Sequence, residues 1–167
     1  SDTLCNEETT NILVTSPNTT TNGIRYTWTV VDNPDIIGES NSGLNGQDIG
    51  TAITQTLTNN TDVPQLVQYI IYPWTVNASG NNECTDVNEV ITIDIWVNPT
   101  PRVEITVVQD TICNDTDTEI ILTTPTVLTS GVVSFDYTSD ADTELSGNGS
   151  GTDLLHGYVI TDSLHND

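Results

Sequence analysis

Apolar and polar residues alternate along several short segments of the chain. In segment 24–31, Tyr26, Trp28 and Val30 alternate with threonines, and residues 53–58 alternate in the same way. A period of two is typical of a β-strand that buries one face. The pattern therefore predicts half-buried strands and indicates that Trp28 is a core tryptophan of a β-sandwich.

Two other segments, 66–72 and 90–97, are more continuously apolar. This composition is expected of central strands covered on both faces, or of an edge that faces a neighbouring module. Segments 103–108 and 119–123 give further strands, and turn-rich stretches separate them. No window has an amphipathic helical period with caps, so we expect an all-β fold of the β-sandwich type.

Parts of the sequence recur at a spacing of 107 to 109 residues. Asp-Thr-Leu-Cys-Asn at 2–6 is repeated as Asp-Thr-Ile-Cys-Asn at 110–114, and segment 53–59 is matched by 160–166. Self-similarity at a nearly constant spacing predicts a tandem duplication. Asn-Pro-Thr-Pro at 98–101 is the expected boundary, because two prolines favour a stiff, extended link.

This duplication predicts two domains. Residues 1–101 are expected to form one module whose opening strand is missing, and residues 102–167 the N-terminal part of a second, truncated module. An isolated half-module would expose a sheet edge and an apolar face. We therefore expect the natural protein to continue on both sides.

The charge of the chain excludes one class of partner. Aspartate and glutamate number 24 against two basic residues, for a net charge of -22. Nucleic-acid binding depends on Lys and Arg, which displace the counterions of the phosphates, so we predict no nucleic-acid partner. No apolar run is long enough to span a bilayer, and we predict no direct membrane insertion.

The order of these motifs resembles a known family. Tyr26-Thr27-Trp28-Thr29-Val30 is followed by the glycine-bearing segment 38–50, by 53–59, by the strand 67–73 and by Val-Asn-Pro-Thr-Pro at 97–101. This series is similar to the PKD-like repeat of Bacteroidetes surface proteins. Asp-Thr-Ile-Cys at 110–113 resembles the start of the next repeat.

The resemblance implies tandem immunoglobulin-like, PKD-like β-sandwich modules. Such a module is non-enzymatic and extracellular, and it lies on the cell surface. Such repeats occur in large adhesins exported by type IX secretion, some of which serve gliding motility. The implied partners are neighbouring repeats of the same chain, and surface polysaccharide or the motility and secretion machinery. The alternative is a carbohydrate-binding accessory module of a secreted hydrolase, in which Trp74 would stack on a sugar.

Three cysteines are available for disulfides in an exported domain of this family. Cys5 and Cys84 are the expected pair, and they would join the start of the module to its late loop. Cys113 is the repeat counterpart of Cys5, so its partner is expected beyond Asp167. Three reduced thiols are the alternative.

Two acidic clusters are candidates for structural calcium, which binds six to eight oxygen ligands. They contain Asp115, Asp117 and Glu119, and then Asp140 and Asp142. Neither has the layout of an EF-hand, and ordinary solvated loops are the alternative. No other cofactor is predicted.

The remaining candidate residues lie in short patterns. Thr3, Thr111 and Ser163 fall in Asp-Ser/Thr-apolar sequences that resemble O-glycosylation sites of this group of bacteria. His156 and His165 are the two histidines, and no nucleophile motif accompanies them. We expect both histidines to be surface residues, and no catalytic residue is predicted.

Overall fold

The computed structural model describes residues 2–86 and 88–166. These residues form strands joined by turns and loops, and none of the described residues lies in a helix. The chain divides into two compact units, residues 1–100 (unit 1) and residues 101–167 (unit 2). The predicted all-β class is confirmed.

The strands are short and follow one another throughout both units. Those of unit 1 are β1 (Asp2–Leu4), β2 (Ile12–Leu13), β3 (Ile24–Val30), β4 (Ile36–Ile37), β5 (Gln47–Asp48), β6 (Ala52–Ile53), β7 (Thr58–Asn59), β8 (Gln65–Thr75) and β9 (Ile91–Val97). Those of unit 2 are β10 (Glu104–Val107), β11 (Thr116–Asp117), β12 (Ile120–Thr123), β13 (Ser134–Thr138), β14 (Leu145–Ser146), β15 (Ser150–Leu155), β16 (Tyr158–Ile160) and β17 (Ser163–Asn166).

Unit 1 is a β-sandwich whose larger layer is a five-stranded sheet in the order β1-β9-β8-β3-β5. The central strand β8 is antiparallel to β9, where Tyr69 lies opposite Ile93, and to β3, where Ile71 lies opposite Trp28. β1 joins β9 in parallel. The second layer consists of the pairs β2–β6 and β4–β7, and the apolar core lies between the two layers.

Alternate side chains of the larger sheet point into this core. Val67, Tyr69 and Ile71 of β8 are at most 2% exposed, whereas the residues between them are half-buried. Each such apolar side chain contributes about 1.5–3 kcal/mol when it is removed from water. Trp28 is 7% exposed, and its Nε1 donates to the oxygen of Ser40 at 2.9 Å. The prediction that Trp28 is a core tryptophan is confirmed.

The predicted strand segments can be compared with the observed ones. The segments at 24–31, 66–72, 90–97, 103–108 and 119–123 correspond to β3, β8, β9, β10 and β12. Segment 53–58, predicted as a single strand, is divided instead. Ile53 pairs with Ile12 in β6 and β2, whereas Thr58 pairs with Ile37 in β7 and β4.

The side chain of Thr10 makes hydrogen bonds at the point where segment 53–58 is divided into two strands. Thr10 is 2% exposed, and its Oγ1 donates to the oxygen of Ile53 and accepts from the backbone nitrogen of Gln55, both at 2.9 Å. The nitrogen of Thr10 also donates to the oxygen of Gln55 at 2.9 Å. The hydroxyl therefore satisfies backbone groups that the interrupted strand would otherwise bury without partners.

Unit 2 forms the same contact at the positions that the sequence spacing makes equivalent. Thr118 Oγ1 donates to the oxygen of Ile160 at 3.2 Å and accepts from the nitrogen of Asp162 at 2.8 Å. Four residue pairings between neighbouring strand segments of unit 2 also have counterparts in unit 1. Ile120–Ile160 corresponds to Ile12–Ile53, and Asp117–Ser163 corresponds to Thr9–Thr56. Leu145–Asn166 corresponds to Ile36–Asn59, and Phe135–Leu154 corresponds to Tyr26–Gln47.

A tight turn is also shared. Gly38 and Gly147 have φ angles of +106° and +93°, a region that side chains disfavour. A Cβ atom on Gly38 would collide with the backbone oxygen of Thr56, and one on Gly147 with that of Ser163. Only glycine allows the chain to pass this close to the neighbouring strand.

The units differ where the sequence repeat begins. Residues 2–4 form β1 against β9, whereas residues 110–112 form no strand. β1 has β9 as its partner, and the described part of unit 2 contains no counterpart of β9. The repeated sequence therefore takes a strand conformation only where its pairing strand is present.

The buried phenol of Tyr69 makes the stability of unit 1 sensitive to alkaline pH. Burial raises the pKa of Tyr69 from 10.0 to about 12, and its hydroxyl donates to Gln55 Oε1 at 2.8 Å. A raised pKa in the folded state gives a stability contribution that is complete below pH 10 and is lost as the pH rises to 12. Between pH 9 and 12 we expect the free energy of unfolding to fall by about 2 kcal/mol more in the wild type than in Tyr69→Phe.

Urea unfolding followed by tryptophan fluorescence measures this difference, because all three tryptophans lie in unit 1. Parallel pH curves for the two proteins would contradict the assignment to Tyr69.

Candidate functional site

The outer face of the five-stranded sheet carries the aromatic residue that the sequence suggested for ligand stacking. Trp74 and Tyr72 lie on this face of β8, because they alternate with the residues that enter the core. Trp96 lies on the same face of β9, opposite Leu66. We call the side chains of Leu66, Ile70, Tyr72, Trp74 and Trp96 the outer aromatic face; all five are half-buried.

Trp74 is held in place by polar contacts across β3. Its Nε1 donates to Thr27 Oγ1 at 2.8 Å, and its cross-strand neighbour is Arg25. The guanidinium of Arg25 donates to Asp48 Oδ1 and to the oxygen of Gly80, both at 2.8 Å. The indole therefore has a fixed orientation on the sheet.

Hydrogen-bonding groups lie among the apolar residues of the outer aromatic face. Gln68 Nε2 donates to Asp94 Oδ1 at 2.9 Å between the two central strands, and Thr92 and Thr29 lie opposite Ile70 on either side. Aromatic rings offer apolar surface, and the neighbouring hydroxyl, amide and carboxylate groups can exchange hydrogen bonds. A hydroxylated polymer such as a polysaccharide presents complementary groups.

The geometry of this face is extended. Trp96 lies beside Leu66, and Trp74 lies eight residues further along β8, a separation of about 27 Å at 3.4 Å per residue. The two indoles therefore cannot contact one small ligand. The face would suit a chain molecule that follows the strand direction.

The predicted disulfide between Cys5 and Cys84 is wrong. Both cysteines are free and exposed. Cys5 follows β1 at the end of the sheet where β8 begins with Gln65, opposite Val97. Cys84 lies at the other end of β8, where its backbone oxygen accepts a hydrogen bond from the nitrogen of Thr75. The ten residues from one end of β8 to the other span about 33 Å, and a disulfide needs Cα atoms within about 7 Å.

Cys113 is also free and exposed. Its predicted partner lies beyond Asp167 and stays a prediction.

The predicted calcium ligands do not form a cluster. Asp115, Asp117, Glu119, Asp140 and Asp142 are all exposed. Among residues 2–86 and 88–166, no three His, Cys, Asp or Glu side chains are placed to hold a metal ion. The calcium site stays a prediction.

Both histidines are exposed, as expected, and each has a surface contact. His165 Nδ1 lies 2.6 Å from Asp115 Oδ1, and His156 Nδ1 accepts from the nitrogen of Thr124 at 3.2 Å. These contacts join strand ends and turns of unit 2.

The three candidate glycosylation residues, Thr3, Thr111 and Ser163, are exposed. Their modification stays a prediction.

Sequence reasoning missed the extent of the outer aromatic face. It singled out Trp74 for ligand stacking, whereas the structure places Tyr72 and Trp96 on the same side of the sheet. A usable signal was present, because four of the five alternate residues from position 66 to position 74 are apolar or aromatic.

Comparison with known proteins identifies the family of unit 1. A family model described as the PKD-like domain matches residues 2–101. No curated protein and no solved structure matches the chain. In the part of the chain that the structure describes, no helix is long and apolar enough to cross a membrane. The match covers more than half of the 167 residues, and the chain therefore belongs to the PKD-like domain family.

Proposed function

We propose that this chain is part of a tandem array of PKD-like modules in a large bacterial surface adhesin. Membership of the PKD-like family indicates an extracellular structural or adhesion module. In our proposal the modules act as a stalk, and the adhesin is exported by type IX secretion and serves gliding motility or attachment. The modules themselves perform no catalysis.

The observation that carries this proposal is the recurrence of one hydrogen-bond arrangement in both units. The contacts of Thr10 and Thr118 are equivalent, and so are those of Asn6 and Asn114, whose side-chain oxygens accept from the nitrogens of Asn59 and Asn166 at 2.6 Å. Unrelated domains would not share side-chain contacts at a constant sequence spacing. The recurrence supports a duplicated module, and repetition of a module is the way in which stalks gain length.

The segment between the units supports a mechanical role. Pro99 and Pro101 fix two backbone φ angles. On one side, Asn6 Nδ2 donates to Thr100 Oγ1 at 2.7 Å; on the other, the nitrogen of Arg102 donates to Thr126 Oγ1 at 3.0 Å. Each end of the segment is therefore hydrogen-bonded to its own unit.

The charge supports an exposed, extended array. With -22 charges on 18.0 kDa, neighbouring copies repel one another, and this repulsion opposes aggregation of a repetitive β-protein. It also disfavours collapse of the array onto an anionic surface. These properties suit a spacer that must remain solvated.

Protease treatment of intact source cells tests the proposal. An antibody raised against residues 1–167 is expected to label intact cells and to detect, on immunoblots, a protein many times larger than 18.0 kDa. External protease should remove this band while a cytoplasmic control protein survives. A band that resists protease until the cells are lysed, or a product carrying one such module beside a catalytic domain, would contradict the stalk.

A second candidate function is binding of polysaccharide by the outer aromatic face, as in an accessory module of a secreted hydrolase. The observation that favours it is the alignment of Trp74 and Tyr72 on one strand, with the hydrogen-bonded pair of Gln68 and Asp94 further along the same face. A spacer does not require these aromatic residues on a solvent-facing side of its sheet.

A glycan array tests this candidate. If the face binds polysaccharide, the chain should bind specific glycans, and Trp74→Ala should weaken binding at least about tenfold by removing the stacking surface. Leu44→Ala is the matched control, because Leu44 is 97% exposed and lies outside the face. Absence of binding by the wild type, or equal binding by both variants, would sink the second candidate.

A further inference from the structure

The side chain of Gln55 is held against Ser40 by three hydrogen bonds. Gln55 Nε2 donates to the backbone oxygen of Ser40 at 2.7 Å and to Ser40 Oγ at 2.9 Å, and the nitrogen of Ser40 donates to Gln55 Oε1 at 3.2 Å. Ser40 lies between β4 and β5, whereas Gln55 lies between β6 and β7. A hydroxyl group and a carboxamide from two separate segments of the chain are therefore in direct contact.

Contacts with the core hold both residues in place. The backbone oxygen of Ser40 accepts from Nε1 of the buried Trp28 at 2.9 Å. The nitrogen of Gln55 donates to Thr10 Oγ1, and its backbone oxygen accepts from the nitrogen of Thr10, both at 2.9 Å. Two groups that a fold holds in contact react far more readily than the same groups free in solution, because the entropy of bringing them together has already been lost.

The side-chain oxygen of Gln55 has a second donor. The hydroxyl of Tyr69 donates to Gln55 Oε1 at 2.8 Å, in addition to the nitrogen of Ser40. Burial raises the pKa of Tyr69 to about 12, so the phenol keeps its proton at neutral pH. Two donors at a carbonyl oxygen stabilise the negative charge that develops there when a nucleophile adds to the carbon.

A carboxylate adjoins this pair. Glu39 precedes Ser40 in the sequence and lies close enough to Tyr69 for its charge to act on the phenol. Glu39 Oε2 is buried and has no hydrogen-bond partner among the described residues. A carboxylate oxygen that accepts no hydrogen bond can act as a base toward a neighbouring hydroxyl group.

Unit 2 repeats the hydrogen-bond arrangement without the reactive groups. Gly149, Asn148 and Asp162 take the places of the serine, the glutamate and the glutamine. The nitrogen of Gly149 donates to Asp162 Oδ2 at 3.0 Å, and the hydroxyl of Tyr137 donates to Asp162 Oδ1 at 3.2 Å. Because a glycine and a carboxylate are enough to form the arrangement, the fold itself does not require a hydroxyl group and a carboxamide here.

We propose that Ser40 and Gln55 form an intramolecular ester bond. Ser40 Oγ adds to Gln55 Cδ while its proton passes to the carboxylate of Glu39, and the two donors at Oε1 stabilise the tetrahedral intermediate. The Cδ–Nε2 bond then breaks, and the nitrogen leaves as ammonia with the proton from Glu39. One C–N bond is thereby replaced by one C–O bond, and no oxidant or cofactor takes part.

The ester cross-links the smaller layer of the sandwich. It joins the segment between β4 and β5 to the segment between β6 and β7. A covalent cross-link restricts the unfolded chain and so stabilises the folded one. It also holds under a tension that separates hydrogen-bonded strands. The inference goes beyond the stalk role, because it assigns unit 1 a self-catalysed modification that unit 2 lacks the groups to make.

The intact mass of the full chain under reducing conditions tests the proposal. After incubation at neutral pH, we expect the wild type to be lighter than its sequence by the mass of one ammonia. Ser40→Ala should keep the full mass of its sequence, because the nucleophile is gone. The matched control is Ser42→Ala, which removes the nearby hydroxyl that accepts from the nitrogen of Trp28. This control should lose ammonia as the wild type does.

Digestion with a protease that cleaves before aspartate locates the bond. Cleavage separates residues 35–47 from residues 48–61, and the ester should keep these two peptides joined. Mild alkali should then release them, with Gln55 converted to glutamate. Ring closure at an Asn-Gly sequence also loses ammonia, but it leaves the two peptides separate.

Glu39→Gln examines the base. This variant keeps the shape of the side chain and removes the proton acceptor, so ammonia loss should be at least about tenfold slower. Ammonia loss at the wild-type rate would exclude Glu39 as the base.

Three results would overturn the ester bond. The first is a folded wild-type chain that keeps the full mass of its sequence. The second is ammonia loss that persists in Ser40→Ala. The third is ammonia loss in the wild type with residues 35–47 and 48–61 released as separate peptides, which would assign the loss to another site.

Discussion

The hydroxyl group of Thr10 joins the two short strand pairs of unit 1 into one layer, and the rest of the sandwich is built on that layer. It satisfies the oxygen of Ile53 and the nitrogen of Gln55 at the point where the strand changes partner. The side chain of Gln55 is thereby directed at Ser40 and at the hydroxyl of Tyr69, which anchors β8. A single buried hydroxyl thus links the small layer to the central strand of the large one, and buried networks of this kind specify one arrangement of a core.

The two units share this arrangement. In unit 2 Asp162 occupies the position of Gln55, and it accepts from the hydroxyl of Tyr137 at 3.2 Å and from the nitrogen of Gly149 at 3.0 Å. The network therefore forms without β8 and β9. In unit 1, β8 and β9 bury the core on one side and display the outer aromatic face on the other.

The sequence patterns correctly predicted features that depend on residues close together in the sequence. They failed for features that depend on contacts between distant segments. The period of two placed Trp28 in the core, because alternation within a strand fixes the side that a residue faces. The pairing of Cys5 with Cys84 was wrong, since the length of β8 separates the two loops and no local pattern reveals which end of a sheet a loop reaches. Trp74 was predicted to be an exposed aromatic residue. The residues that lie beside it on the sheet could not be predicted, because they depend on the register between neighbouring strands. The role of Thr10 was not predictable, because a threonine beside a strand is common and its contact lies 43 residues away.

The central claim is that the threonine hydroxyl holds each unit together, and Thr10→Val tests it most directly. Valine keeps the shape of the side chain and removes the two hydrogen bonds to buried backbone groups. The free energy of unfolding of unit 1, from urea unfolding followed by tryptophan fluorescence, should fall by about 2–4 kcal/mol. Thr9→Val, at an exposed position, should change it by less than about 0.5 kcal/mol. A Thr10→Val protein as stable as the Thr9→Val control would contradict the account.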